Sequence, residues 1–275
     1  MKVSQLWSYP VKSMLGNRVN SVNLTLLGIE SDRQWAIRDL ELGGIRGAKK
    51  IGALMQFAAE RDGDAVRITC PDGSVVSSTA DDVSDVLSGA LGRRVVLESL
   101  PDATNLDHFR RGPGDGGDMM EELRRVFGRD VDEPLPDFSV FPAEVMEFES
   151  PPGTHHDCFP LMVMTESAME ALRAAVPESA VDERRFRPSM VIDDAPAGHP
   201  EFGWKGRSAR IGWATVEFLD PCPRCVMVTR RISDELPEDR AILRHIVRDL
   251  DQCVGVYARV MTPGVVNVGD ALEFL

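Results

Sequence analysis

The chain has 275 residues, of which 43% are apolar and 27% are charged, and its formal net charge at pH 7 is −13. These values are typical of a folded protein with one large or two ordinary domains, and they argue against an intrinsically disordered chain. The acidic balance also argues against nucleic acid or an anionic membrane as a partner, because both attract proteins with a positive field.

The sequence favours a cytoplasmic protein. No apolar run approaches the roughly 20 residues that span a bilayer, and the first residues do not resemble a signal peptide. The five cysteines are odd in number and scattered, apart from Cys222 and Cys225. This usage fits a reducing compartment better than a disulfide scaffold.

Short strands are predicted over the first hundred residues. Val22, Leu24 and Leu26 alternate with polar residues, and the same alternation recurs over 66–70 before a turn. One helix is predicted over 81–91. Short strands with closely spaced turns favour a barrel or a sandwich over repeated βαβ units.

The middle of the chain predicts a connection between two domains. Residues 101–117 are polar and rich in Gly and Pro, which indicates an exposed loop, and a helix is predicted over 119–127. We therefore expect an N-terminal domain over 1–115 and a second domain over 116–275.

The second half predicts further strands and two helices. A strand over 161–164 precedes Thr165, a candidate N-cap for a helix. The other elements expected here are strands over 189–192, 208–219, 257–261 and 271–275, and an amphipathic helix over 237–250. The fold class is thus mainly β with a few helices (α+β).

Cys222 and Cys225 carry the plainest chemistry. Residues 214–218 alternate like a half-buried strand, and Asp220 and Pro221 are expected to end it, so that both thiols lie on the following turn. Arg224 adjoins Cys225, and a neighbouring guanidinium favours a thiolate.

Four interpretations of this pair stay open. A thioredoxin-like redox motif should open a helix, whereas residues 226–229 look like another strand. A zinc site needs two further ligands, for which His155, His156 and Cys158 are candidates. A single thiolate could bind a catalytic metal cofactor. The two residues could also be small buried side chains without chemistry.

Basic and hydroxyl side chains recur in turn contexts. Lys12 and Ser13 form a candidate oxyanion site. If residues 185–190 are extended, Arg185 and Arg187 share a face and could bind one phosphate. Taken alone, the Lys12–Ser13 pattern is a weak signal, and the arginines, including Arg33 and Arg46, are more typical of exposed surface residues than of ligands.

The loop over 152–158 concentrates titratable groups. Adjacent histidines on an extended strand point to opposite sides, so we do not expect His155 and His156 to bind one metal together. We predict a loop near a site, with Asp157 as a polar anchor.

Five segments, in this order, resemble MOSC proteins (molybdenum cofactor sulfurase C-terminal type) with an N-terminal MOSC β-barrel domain, among them the amidoxime-reducing components: 9–13, 32–35, 185–188, 209–212 and 224–225. The resemblance covers almost the whole chain. It implies two β-barrel-like domains with a molybdenum cofactor (Mo-molybdopterin) held between them.

The resemblance also implies roles for residues. Cys225 would be the catalytic thiolate on molybdenum, with Cys222 behind it. The residues that would bind the cofactor are Lys12, Ser13, Arg33, Arg46, Thr165, Arg187 and Ser189. The family usually has asparagine where this chain has Ser189, which has a shorter reach.

The implied activity is reduction of N-hydroxylated or N-oxygenated small molecules, with electrons from a separate redox protein, since the sequence has no iron–sulfur cysteine motif. Asp157 and His156 are hypothetical proton donors. The alternative is a non-catalytic carrier of the cofactor or of sulfur. Pyridoxal phosphate binding is associated with the family only, because no pyridoxal-phosphate domain is recognisable here.

Overall fold

The computed structural model describes residues 1–275, except for the side chain of Val140. The fold is mainly β with several helices, as predicted. The strands are β1 (Lys2–Ser8), β2 (Asn17–Val19), β3 (Ser21–Thr25), β4 (Gly28–Ile29), β5 (Trp35–Asp39), β6 (Ala58–Asp62), β7 (Ala65–Thr69), β8 (Val75–Ser77), β9 (Val95–Ser99), β10 (Leu161–Thr165), β11 (Met190–Asp193), β12 (Ser208–Ile211), β13 (Ala214–Pro223), β14 (Cys253–Thr262), β15 (Gly264–Asn267) and β16 (Leu272–Phe274). The α-helices are α1 (Val83–Leu91), α2 (Leu106–Phe109), α3 (Met119–Phe127), α4 (Glu144–Glu147), α5 (Glu166–Ala175), α6 (Glu183–Phe186) and α7 (Ala241–Asp249).

The largest sheet has eight strands in the order β16-β12-β13-β14-β10-β11-β1-β2. Strand β10 is buried along its whole length, as expected for a central strand covered on both faces. It runs parallel to β11 and is joined to it through α5. The first strand of the chain, β1, pairs with β11 in this sheet. The beginning of the chain is therefore built into the sheet of the second half.

The smaller sheets lie mostly in the first half. They pair β5 with β9, β6 with β7 and β8, and β3 with both β4 and β15. Buried residues from β5, β7 and α1 form a core that also contains Met227, Ile232 and Leu236 from the second half. The two halves thus share apolar core as well as a sheet. The predicted boundary near residue 115 remains a prediction.

The structure corrects four expectations about the strands. The predicted strand over 208–219 is two antiparallel strands, β12 and β13. Leu26 is 63% exposed because β3 ends one residue earlier and Leu26 lies in the turn to β4. Asp220 and Pro221 do not end the strand, because β13 continues to Pro223. The pairing of β13 with β14 shifts register on both sides of Pro221, and such irregularities accommodate a residue without an N–H group. Residues Val226–Thr229 form a 3₁₀ turn rather than a strand.

The helices follow the sequence more closely. Helix α3 has the predicted bounds, and α1 begins two residues later than predicted. Helix α7 begins at Ala241 rather than at Pro237, and its buried residues are the predicted apolar face. None of the helices in the described part of the chain is both long and apolar enough to cross a membrane.

Candidate functional site

The two cysteines of the 222–225 segment face opposite sides of an extended backbone. Cys222 is buried in the core formed by α5, α7 and β14, whereas Cys225 is partly exposed and packs against the core of the first half. Residues an odd number apart on an extended chain point to opposite faces. Four extended residues also separate their ends by about 10 Å, beyond the reach of a disulfide. The pair is therefore two separate thiols.

Arg224 is directed at Cys222. Its Nη1 donates to Cys222 Sγ at 3.1 Å and its Nη2 donates to the Phe186 carbonyl at 2.7 Å. Burial opposes the charge, but Cys222 first and Cys225 second raise the pKa of Arg224. The guanidinium that adjoins Cys225 in sequence therefore bonds to the other thiol in space.

Asp157 joins two lysines at the partly exposed side of this region. Lys12 is almost fully buried, and its Nζ donates to Asp157 Oδ1 at 2.5 Å and to the His155 carbonyl at 2.9 Å. Lys49 Nζ lies 2.9 Å from Asp157 Oδ2. Burial favours the protonated acid, yet Lys12 and Lys49 together hold the pKa of Asp157 well below its usual range. The loop over 152–158 thus supplies the predicted polar anchor.

Lys49 also lies close to Cys225. Burial lowers its pKa, but the charges of Asp157 and Cys225 outweigh this and leave the pKa of Lys49 raised. Sequence reasoning did not select Lys49. The only available signal was its place three residues after Arg46 in a basic, glycine-containing turn.

Tyr9 lies between two arginines. The guanidinium carbons of Arg187 and Arg33 are 4.2 Å and 5.4 Å from the centre of its ring. Both arginines have left-handed backbones, with φ of 58° and 50°, a conformation that costs a side-chain-bearing residue energy. Arg33 pairs with the buried Asp32. Strained backbone conformations at two neighbouring arginines indicate that the surrounding structure holds both side chains in fixed positions.

Arg187 carries an unsatisfied donor. Its Nη1 donates to the Met14 carbonyl, while its buried Nη2 has no hydrogen-bond partner among the described groups. Burial first and the nearby Arg33 second lower the pKa of Arg187 to about 10. A buried N–H without an acceptor is costly, and an anion bound here would satisfy it.

Ser13 holds two turns of the backbone in close contact. Its backbone is left-handed, with φ of 70°, and its Oγ accepts the Ala48 N–H at 2.9 Å. A Cβ at position 47 would lie 2.7 Å from Ser13 Oγ, so only glycine permits this contact. The contact brings the turn that carries Lys12 against the turn that carries Lys49.

Other predicted residues have their own partners. Arg46 pairs with Asp115 and donates to the Pro113 carbonyl at 2.7 Å, which directs its guanidinium into the connection between the halves. Ser189 Oγ accepts the Met162 N–H at 3.3 Å, within the sheet. Neither side chain forms a hydrogen bond or ion pair with Asp157 among the described contacts.

Thr165 is the predicted N-cap. Its Oγ1 accepts the Ala168 N–H at 3.1 Å and donates to the buried Glu201 at 2.9 Å. The parallel register places it three residues beyond the position opposite Ser189, a displacement of about 10 Å along β10. The Thr165 hydroxyl is therefore engaged in capping α5 and in its bond to Glu201.

Arg185 does not share a face with Arg187, which corrects the expectation of an extended segment. It belongs to α6, whereas Arg187 ends that helix with left-handed geometry. Arg185 is fully buried, and its guanidinium donates to the carbonyls of Ala180, Val228, Arg230 and Pro237. It holds the turn after Cys225 in place, and four of its five N–H groups are used in these bonds.

The histidines form hydrogen bonds of their own. His155 Nδ1 donates to the Arg33 carbonyl at 2.9 Å, and its Nε2 lies 2.9 Å from Nε2 of His108. His156 Nε2 donates to the Leu27 carbonyl at 3.1 Å. Within the described residues, no three His, Cys, Asp or Glu side chains converge to hold a metal ion. The zinc alternative therefore gains no support from this geometry.

We expect His155 to make the protein acid-sensitive. Burial first and Lys12 second lower its pKa from 6.5 to about 3. Below pH 6.5 the unfolded chain binds a proton that the folded chain refuses, so stability falls as the pH falls toward 3. The loss between pH 7 and pH 5 should be about 2 kcal/mol from this group. Urea unfolding at both pH values should show a smaller loss of unfolding free energy for His155→Gln than for the parent. Equal losses in His155→Gln and the parent would contradict the assignment.

The charges around Tyr9 and Asp157 leave a positive surplus. The cations here are Lys12, Lys49, Arg33, Arg187 and Arg224. The carboxylates that face them are Asp32 and Asp157. Glu149 is also near, but it is paired with Arg111. Three positive charges thus remain unbalanced in a protein whose net charge is −13. Such a site would attract an anion.

Comparison with known proteins gives two family matches. The family profile for the MOSC N-terminal beta barrel domain matches residues 1–102, and that for the MOSC domain matches residues 151–273. Residues from both matched regions, Lys12 and Lys49 from one and Asp157 and Cys225 from the other, meet at the site.

Individual relatives are distant. Human mitochondrial amidoxime-reducing component 1 is 23% identical, over 99% of this chain and 82% of that protein. Bovine mitochondrial amidoxime reducing component 2 is 26% identical, over 82% of this chain and 66% of that protein. The crystal structure of the YUAD protein from Bacillus subtilis aligns with 99% of this chain and 94% of its own, at 10% identity and a TM-score of 0.46. These matches give no support to pyridoxal phosphate binding.

Proposed function

Because this chain is a MOSC-domain protein with an N-terminal MOSC β-barrel domain, we propose that it binds the molybdenum cofactor and reduces N-hydroxylated or related N-oxygenated small molecules. The amidoxime-reducing components are similar to it over nearly the whole chain, and their name states a reduction of this kind. Electrons would come from a separate redox protein.

The observation that carries this proposal is the positive surplus beside a partly exposed thiol. A phosphate monoester carries about two negative charges near neutral pH, and a thiolate at Cys225 would add one more. Together they would balance the three unmatched cations. A pterin phosphate held next to a metal-ligating thiolate therefore suits this site better than a neutral ligand does.

The side chains present fit such a group. Arg187 has a buried, unpartnered Nη2 that a phosphate oxygen would satisfy, and Lys49 lies on the partly exposed side of Asp157. Lys12 would share or exchange its contact with Asp157. A cysteine thiolate is a suitable ligand for a metal that also binds sulfur. When bound, the cofactor would supply the centre that exchanges two electrons with the substrate.

The residues beside Cys225 would orient the substrate rather than protonate it. Conversion of an N–OH group to N–H consumes two electrons and two protons and releases water. Asp157 is held as a carboxylate by two lysines, so it would accept a hydrogen bond from the substrate. Burial first and Arg33 second lower the pKa of His156 well below its usual range, and its Nε2–H is bonded to Leu27. Both hypothetical proton donors are thus poorly prepared for that role, and the protons would come from water.

Metal analysis and turnover test the proposal. Protein expressed with a full molybdenum supply should contain close to one molybdenum per chain and should reduce an amidoxime when a reduced viologen supplies electrons. Less than roughly a tenth of an equivalent of molybdenum would contradict cofactor binding. Stoichiometric molybdenum without turnover, with any donor, would favour the non-catalytic carrier.

A further inference from the structure

Arg129 is a buried cation outside all the motifs considered above. It follows Gly128, which ends α3 with left-handed geometry, and only 5% of Arg129 is exposed. A buried guanidinium usually needs several acceptors to offset its desolvation. One acceptor of Arg129, the Arg224 carbonyl, lies on the segment that leads to Cys225, and the others are the carbonyls of Phe127 and Pro134 and Oε1 of Gln252.

Arg129 holds the peptide group before Cys225. Its Nη2 donates at 3.0 Å to the carbonyl of Arg224, which is the carbonyl bonded to the Cys225 nitrogen. Its Nε and Nη2 also donate to Gln252 Oε1 at 3.1 Å and 3.0 Å. A planar guanidinium that shares two N–H groups with one oxygen is fixed in orientation.

Gln252 completes the clamp from the other side. Its backbone carbonyl accepts the Arg224 N–H at 2.8 Å. Its own backbone is left-handed, with φ of 67°, a strained conformation for glutamine that its contact with Arg129 helps to maintain. Both backbone polar groups of Arg224 are therefore held by partners from two other segments.

Through the Arg224 carbonyl, the Arg129 guanidinium lies next to the backbone of Cys225. Burial lowers the pKa of Arg129, and the charge of Cys225 is the largest influence acting in the opposite direction. The Arg224 side chain is turned toward Cys222. Arg129 and Lys49 are thus the other cations that act on Cys225.

We propose that Arg129 is a positioning residue for Cys225: it fixes the peptide group that precedes the thiol-bearing residue and supplies positive charge near the sulfur. In the intact enzyme this rests on the proposed function, in which Cys225 binds the metal. The position and electrostatic surroundings of the thiol can be tested without any cofactor.

Alkylation of the cofactor-free protein separates charge from position. Peptide mass spectrometry would give the rate at Cys225 with anionic iodoacetate and with neutral iodoacetamide. Removing a nearby positive charge should slow the anionic reagent more, so Arg129→Met should lower the iodoacetate-to-iodoacetamide ratio by roughly threefold or more. Arg124→Met is the control, because Arg124 also donates to two backbone carbonyls of the same region but to none near Cys225. An unchanged ratio in Arg129→Met would overturn the inference.

Arg129→Lys covers the case in which Arg129→Met does not fold, which alkylation of the buried Cys70 would reveal. Lysine keeps the charge but lacks the planar fork that fixes the orientation of Arg129 against Arg224 and Gln252, so the ratio should persist while both rates at Cys225 change by roughly twofold or more. Unchanged rates in this variant would also overturn the inference. Absence of molybdenum from the parent protein would contradict the proposed function and leave the alkylation result standing.

Discussion

Replacing Cys225 with alanine should remove both bound molybdenum and reductase activity, with a loss of at least roughly 100-fold in kcat. Cys225 is the partly exposed thiol that faces Lys49 and the cations around it. Cys158 is also partly exposed and follows Asp157, but burial raises the pKa of its thiol to about 12, whereas Cys222 lies in the opposite core. Molybdenum content per chain and amidoxime turnover would be measured on the same preparations.

The matched control is Cys222→Ala. This change leaves Arg224 Nη1 without its sulfur partner, so it should lower the free energy of unfolding by about 1–3 kcal/mol while retaining most of the molybdenum. Similar molybdenum contents in the two variants would remove Cys225 as the metal ligand. A Cys222 variant that loses the metal while keeping its fold would reverse the roles of the two thiols.

Helices and strands could be predicted from the sequence where the apolar periodicity was strong. The strand at 161–165, the cap at Thr165 and helix α3 follow from local patterns that tertiary contacts do not override. The end of β13 was not readable in this way, since Asp220 and Pro221 are turn residues by propensity. Pairing with the long strand β14 keeps the chain extended past them through irregular register.

The site was only partly predictable, because sequence identifies chemical types and not their directions. Lys12 and Asp157 lie 145 residues apart, yet they form one ion pair. Lys49 and Arg129 lacked any motif, and each is recognisable only once the fold brings it beside Cys225. Partners of this kind depend on non-local contacts, which no window of sequence contains.

Arg185 and Arg187 are two residues apart, but we expect substitution of Arg185 to destabilise the fold strongly and substitution of Arg187 to change its stability little. Arg185→Met would leave several buried carbonyls without donors, so we expect a loss of about 3 kcal/mol or more in the free energy of unfolding.

Arg187→Gly would remove a strained φ and an unsatisfied buried donor, which should offset its lost contacts and leave the stability of the cofactor-free protein within about 1 kcal/mol of the parent. The same change should abolish retention of the cofactor, because the unpartnered donor is lost. Urea unfolding of cofactor-free protein and molybdenum content after expression would test both halves of this expectation. If Arg187→Gly costs as much stability as Arg185→Met, then Arg187 supports the fold and its role as an anion-binding residue fails.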